Sequence, residues 1–393
     1  MRIARALVTA PATRTIRRLC ALIALYTACL SVAHADIDID GRLDEPEWQQ
    51  ATSCGAWSRT EPFTRDAPRL GNDLRFVATP RGLAAAFIID QPPTERRVKP
   101  RTPRDSESLA GDSITLLVDF DATGQTAYEF SVGLGGGVRD GLVTNQNNFN
   151  RDWDGRWLHA VRETDDQWFV EILVPWDLVN MRRTDGSVRT IGVYGSRYLF
   201  ERNERYACPG ISEDLTPAFV NDFRRIDVPQ FDVAAVLDFI PYVTAIRDNL
   251  TDDVDFKAGA DISWRPSQNF WLTATLNPDF GQVESDELVV DFSAIETVFT
   301  DKRPFFTENQ AVFYLRTPAN GQLIYTRRVG GPTDDRLYGS IDIDAALKVK
   351  GNTQSFEYGA FVAQEDDYDH DVGRLFAATR VAWSESGSRI GYL

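Results

Sequence analysis

The amino-acid sequence predicts an all-β protein, an N-terminal β-sandwich followed by an antiparallel, barrel-like region that is incomplete. Three observations carry this expectation. Through the first half, short apolar runs recur at close spacing between Gly, Pro, Asn and Asp, with almost no helical period. Beyond residue 231 the runs lengthen and alternate evenly, the pattern of barrel strands of about 10 residues. Between them the stretch 277–322 has no period of its own, and connections this long are usually functional or disordered. A soluble β-sheet domain is the other reading of the second half.

The first 35 residues read as a secretory signal. Arg14, Arg17 and Arg18 precede an apolar run from Leu19 to Leu30, and Ala33-His34-Ala35 offers a small-residue cleavage site. The run is short for a membrane span. The chain carries a formal net charge of −16, and the signal holds five arginines and no acid, so the exported part is more acidic still. Such a chain is repelled by phosphates, which excludes nucleic acid as a partner. Cys54 and Cys208 are the cysteines beyond the signal. Export allows them to pair, and two separate buried thiols remain the alternative. Only His159 and His370 lie beyond the signal, which disfavours zinc.

The sandwich is expected over 36–226. Ile37 and Ile39 alternate with acids as in a half-buried strand, and Pro46 suits the first turn of a short helix carrying Trp48. Leu74–Val77 and Leu83–Ile89 flank Pro80-Arg81-Gly82 as a hairpin. The basic, proline-rich 92–104 segment reads as an exposed, mobile loop. Ser113–Phe120, Tyr128–Leu134, Trp157–Val161, Trp168–Val174 and Ile191–Phe200 read as further strands, with a polar, Asn-rich stretch over 141–150. The opening Asp36–Ala51 resembles that of family-nine carbohydrate-binding modules, and the resemblance extends to about Ile226. Trp48 is read as a core plug.

The second domain is expected over 231–393. Asp255–Arg265 puts Phe256, Ala258, Ala260, Ile262 and Trp264 on one face, and Ser267-Gln268-Asn269 turns the chain into Phe270–Asn277. Ile341–Lys350, Phe356–Gln364 and Leu375–Trp383 continue the rhythm, and residues 389–393 begin another strand. Several motifs here resemble the bacterial family domain of unknown function 5916. They are Asn277–Glu284 (NPDFGQVE), Glu296-Thr297, Lys302–Phe306 (KRPFF) and Tyr325–Gly330 (YTRRVG). Its members pair a family-nine module with a region expected to form an outer-membrane barrel. Against that family the chain reads as truncated. The apolar residues of 277–322 need a wall, so this segment is expected to fold inward as a plug, its carboxylates meeting Arg327 and Arg328.

The resemblance implies an exported, Gram-negative envelope protein that binds or takes up glycans, with outer-membrane lipid as its other partner. The residues offered for carbohydrate are Trp57, Arg59, Tyr128, Asp152, Trp153, Arg156 and Trp157: rings to stack on sugars, charged groups for hydroxyls. Trp157 and Trp168 have a core reading as well. The same resemblance implies calcium, for which Asp119, Asp121, Asp152 and Asp154 are hard oxygen donors in turns. Two alternatives are kept. One is a glycoside hydrolase using carboxylates such as Asp279, Glu284, Asp286 and Glu296; no nucleophile motif accompanies them, and no catalytic residue is assigned. The other is a structural envelope protein without a ligand.

Overall fold

The structure is a computed structural model, which describes residues 37–393 except 107, 145, 152, 183, 185, 248–253, 279–300, 302, 308–312, 314–323, 332–340, 354, 368–371, 386–387 and 393. The segment read as a secretory signal therefore lies outside the described residues, as does most of the stretch 277–322.

The strands of the first half are β1 (Thr52–Ser53), β2 (Ser58–Glu61), β3 (Asn72–Ala78), β4 (Gly82–Asp90), β5 (Ser113–Asp119), β6 (Ala127–Gly133) and β7 (Val138–Thr144). They continue as β8 (Asn148–Asn150), β9 (Leu158–Glu163), β10 (Gln167–Pro175), β11 (Val188–Leu199), β12 (Glu204–Cys208) and β13 (Arg224–Pro229). The second half holds β14 (Val236–Arg247), β15 (Val254–Ser267), β16 (Phe270–Leu276), β17 (Ile343–Asn352), β18 (Phe356–Glu365), β19 (Leu375–Glu385) and β20 (Ser388–Tyr392). Every pairing is antiparallel. The protein is all-β, as its apolar pattern predicts.

A five-stranded sheet, β1-β3-β4-β10-β9, faces an eight-stranded one, β2-β12-β11-β5-β6-β7-β8, in which β13 also pairs with β11. The inward residues of both interlock: Leu74, Phe76, Phe87 and Ile89 from one, Ile114, Leu116, Val118 and Phe130 from the other. Gly195 on β11 leaves room for Leu74 of the facing sheet, because a Cβ there would sit 2.2 Å from Leu74 Cδ2. β4 reads as a continuous apolar run because both its faces are covered. Its outward alanines, Ala84 and Ala86, make room for Ile37 and Trp48, which is 2 % exposed. Trp48 thus plugs the outer face of this sheet from the 3₁₀ turn Pro46–Gln50. Ile37 is buried as expected, but in an irregular segment rather than a strand.

The two sheets are tied by the Cys54–Cys208 disulfide, with a Cα–Cα distance of 6.1 Å. Cys54 follows β1 and Cys208 ends β12, so the bond joins the two layers. A polar network also crosses the core. Arg197, fully buried, donates to Asn72 Oδ1 (2.8 Å), Asp90 O (3.1 Å) and Gln91 Oε1 (3.1 Å). Burial pulls its guanidinium down to about 10. The same Gln91 oxygen accepts Trp168 Nε1 at 3.0 Å.

The proline-rich segment 92–104 differs from its expectation. Arg97 donates to the carbonyls of Gln91, Thr164, Asp165 and Gln167 and pairs with Glu163, as does Lys99. Gly135 lets it lie flat on the β6–β7 turn, since a Cβ there would meet Pro100 O at 2.0 Å. The loop is a strap, held by the carbonyls of Gln91 and the β9–β10 turn, which Arg97 satisfies. Likewise, 141–150 is largely strand, forming β7 and β8. β12 and β13 also lie beyond the expected strands.

The second half is a seven-stranded meander in the order β14 to β20, and among the described residues it is not a closed barrel. Register and alternation divide its faces. One face carries Leu237, Phe239 and Val243 from β14, Phe256, Ile262 and Trp264 from β15, and Phe270 and Leu272 from β16. It continues through Leu347 and Val349, Val362 and Phe356, Leu375 and Val381, to Ile390 and Tyr392. Most of these are exposed, with Val243 at 76 % and Phe256 at 71 %. The other face carries Asp238, Lys257, Asp261, Ser263, Thr273, Thr275, Lys348, Lys350, Glu365 and Arg380.

On that polar face lie the described parts of the central stretch. Phe305, Phe306, Phe313 and Val329 pack on Ile343, Ala346, Phe361 and Ala363. Arg303 clamps the segment: it pairs with Asp301 (2.6 Å), donates to Val329 O (2.7 Å) and Thr326 O (2.8 Å), and lies over the Phe306 ring. Glu365 on β18 accepts Gly330 N at 2.7 Å and pairs with Arg374 at 2.6 Å. Arg327 and Arg328 form a 3₁₀ turn beside Thr326, and the carboxylates expected to meet them lie outside the described residues.

Candidate functional site

The outward face of the eight-stranded sheet should be solvated, and it is instead lined with recessed polar groups. Register aligns Ala207, Ser196, Thr115, Ser131 and Arg139 in one row across β12, β11, β5, β6 and β7. Glu129, two residues before Ser131, stands on the same face. Thr115 and Ser131 hydroxyls bond at 2.8 Å, Ser131 donates to Glu129 Oε1 at 3.0 Å, and Arg139 reaches the same oxygen at 2.7 Å. Arg151 Nε lies 3.6 Å from Glu129 Oε2, which is buried and accepts no hydrogen bond from the described residues. Its guanidinium sits 5.4 Å from the centre of the Phe149 ring.

At the other end of the row, Arg205 pairs with Glu61 at 2.8 Å, touches Ser196 Oγ at 3.4 Å and lies over Tyr198. Glu213 leans into the same group. Burial pushes its carboxyl up; Arg205 pulls it down, and Glu129 and Glu61 push it up further. The face therefore alternates carboxylates, guanidiniums and hydroxyls, with Phe149 and Tyr198 at its edges. Donors and acceptors are interleaved without a net sign, an arrangement suited to a neutral, hydroxyl-rich ligand.

The residues offered from sequence lie elsewhere. Trp57, Tyr128, Trp153 and Trp157 are 7–8 % exposed and belong to the sandwich core. Trp153 meets Tyr128 edge-to-face at 5.1 Å, and Trp157 meets Phe130 at 5.3 Å. Trp157 Nε1 donates to Asp140 at 2.6 Å. The three indole rings locked this way are packing, which corrects the stacking role expected of them; Tyr128 is packed with them and also lines a pocket with Phe120. Trp168, fully buried, is core as well. Arg59 is spent within its own loop and on Glu204 at 3.3 Å; Arg156 is exposed; Asp152 lies outside the described residues. From the Asn150–Trp157 cluster it is Arg151 that reaches the polar face. Glu61, Glu129, Arg139 and Arg205 carry no local motif, and only the pairing of their strands collects them.

For calcium, Asp119 accepts N–H groups from Asp121 (3.1 Å) and Gly124 (2.6 Å), and Asp121 those of Arg182 N (2.8 Å) and Arg189 Nη1 (2.9 Å). Asp154 pairs with Arg104 at 2.5 Å. These acids serve turns and arginines, and among the described residues no group of three or more His, Cys, Asp or Glu is placed to hold a metal. The hydrolase candidates Asp279, Glu284, Asp286 and Glu296 lie outside the described residues.

Fold and site together define a disulfide-bonded β-sandwich continuous with an amphipathic antiparallel sheet. Residues 234–355, from the start of β14 through β17, match the family described as domain of unknown function DUF5916. The match begins beyond the sandwich, so the family-nine resemblance of 37–226 has no part in it. No curated protein matches the chain.

Proposed function

We propose that this protein is an exported envelope protein of a Gram-negative cell. Its seven-stranded sheet sits against the hydrocarbon of the outer membrane, and the sandwich at the membrane surface takes glycans for binding or uptake. One observation carries the membrane half: a sheet whose exposed face is apolar on nearly every strand and whose opposite face is polar. Exposed apolar area on that scale marks a lipid or protein contact, and alternation of this kind is how strands cross a bilayer. No described helix is long and apolar enough to cross one. The disulfide supports export, because cytosolic thiols are kept reduced. The described residues of 301–331, held on the polar face by the Gly330–Glu365 bond and by the packing of Phe305 and Phe306, act in this reading as a plug. The glycan half is supported by the Glu129–Arg205 face and by the family-nine resemblance. No catalytic step is included.

Flotation tests the membrane half. The full-length protein is refolded with phosphatidylethanolamine/phosphatidylglycerol vesicles, floated through a density gradient and washed with alkaline carbonate. It is expected to stay with the vesicles; recovery in the carbonate wash would overturn the reading. A glycan array probed with the same preparation tests the other half, and an array without signal would leave a structural protein.

A further inference from the structure

Where the sandwich meets the seven-stranded sheet, polar contacts cross. Met181 N donates to Gln268 O (2.9 Å), Arg265 Nη1 to Asp177 O (2.8 Å), Gln230 Nε2 to Gln268 Oε1 (3.3 Å), and Asn352 Nδ2 to Asn180 Oδ1. A polar pocket opens beside them. From the sandwich it is walled by Phe120, Tyr128, Thr123 and Gln125 with Asp119 and Asp121; Asn180, Arg182, Lys350, Asn352 and Glu357 close it.

The pair of asparagines is unusual. Asn180 is 7 % exposed and Asn352 is 6 % exposed. One hydrogen bond joins them, and it leaves Asn180 Nδ2 and Asn352 Oδ1 buried with no partner among the described residues. An orphaned buried polar atom is costly, and here one is a donor and the other an acceptor. A hydroxyl satisfies both, because its oxygen accepts while its proton is donated. The rest of the lining narrows the class. Asp119, Asp121 and Glu357 disfavour an anion; Arg182 and Lys350 disfavour a cation; Phe120 and Tyr128 supply an apolar wall.

We infer that this seam pocket is a binding site for the hydroxyl-bearing end of a neutral sugar. One ligand hydroxyl bridges Asn180 and Asn352, and the ring edge lies on Phe120 and Tyr128. The site is separate from the Glu129–Arg205 face and deepens the glycan reading, on which it rests. Because its two halves come from the sandwich and the sheet, a sugar seated there bonds to both.

The test uses the full-length protein in phospholipid nanodiscs with methyl α- and β-D-glucosides, galactosides and xylosides as probes. Saturation-transfer NMR reads binding, and a structure at saturating probe reads position. A methyl glycoside is expected in the pocket, with binding weakened about tenfold by Asn352→Ala, which removes the acceptor, and by Asn180→Ala, which removes the donor. Both variants are checked for unchanged near-ultraviolet circular dichroism; if either fails to fold, the position of the probe in the wild-type structure decides alone. Water alone between the asparagines at saturating probe overturns the inference. So does binding that Glu129→Gln abolishes and both asparagine variants leave intact, although that result preserves the glycan reading. Binding of no probe by any form overturns both.

Discussion

Asp140 shows how a single buried carboxyl sets a local pH dependence. It is fully buried on β7, where Oδ2 accepts Trp157 Nε1 (2.6 Å) and Arg104 Nη2 (2.8 Å) and Oδ1 has no partner among the described residues. Burial pushes its carboxyl up to about 6, against the pull of Trp157 and Arg104. The unfolded chain releases this proton near pH 4 and the folded protein near 6. The folded state thus binds more protons in between, so the contribution is full below about pH 4 and is lost as pH rises through 6. Asp140→Asn, which keeps an acceptor for both donors, is expected to flatten this share of the slope by on the order of 1–3 kcal/mol. Urea titrations at pH 5 and pH 8 check it: equal pH dependence in variant and wild type would refute the assignment. Asp119 and Glu171, both pushed to about 7 by burial, act in the same direction and remain in the variant.

At the scale of the element, β15 and β18 carry their function in alternation. Val362 faces outward on β18, in register with Leu347 and Ala377. Ser263 faces the polar side of β15, directly opposite Asp238. A lysine on a lipid-facing strand costs about 2–4 kcal/mol near the bilayer midplane. Val362→Lys is therefore expected to cut the fraction that folds into vesicles, while Ser263→Lys, given a carboxylate partner, is expected to insert normally. Gel-shift folding assays in the same vesicles measure both, and equal insertion of the two variants would mean that the apolar face does not meet lipid. These strands were legible in the sequence because alternation is local: Phe256, Ala258, Ala260, Ile262 and Trp264 announce their shared face without any partner strand. β12 and β13 were not, because each is short and takes its place by pairing with other strands, the long β11 for both and β2 for β12. The strap 92–104 was misread for a related reason. Its prolines and basic residues look like a free loop until Glu163 and the carbonyls of the β9–β10 turn are brought to Arg97.

At the scale of the molecule, the Cys54–Cys208 bond closes a loop of sequence separation 154 across the two layers of the sandwich. A cross-link over so long a loop restricts the unfolded chain strongly, and removing a native one from a secreted domain costs about 2–5 kcal/mol. The double variant Cys54→Ser/Cys208→Ser is expected to lower the denaturation midpoint accordingly, followed by tryptophan fluorescence. A midpoint that does not move would show that the sheets are held by their apolar interface alone. Both sulfurs are fully or almost fully buried, so reduction of the wild type is expected to require prior unfolding.

The amino-acid sequence by itself determined that the chain is β throughout, where most strands run, and that the later strands have one apolar and one polar side. Those properties follow from period-two alternation and turn residues, which act over a few positions. Only the tertiary structure decided that Cys54 and Cys208 meet, and that Trp57, Trp153 and Trp157 face the core instead of a ligand. It also assembled the Glu129–Arg205 face and the Asn180–Asn352 pair. Each of these joins residues far apart in the chain, and burial or partnership at such a distance is fixed by strand order and register, which no local pattern encodes.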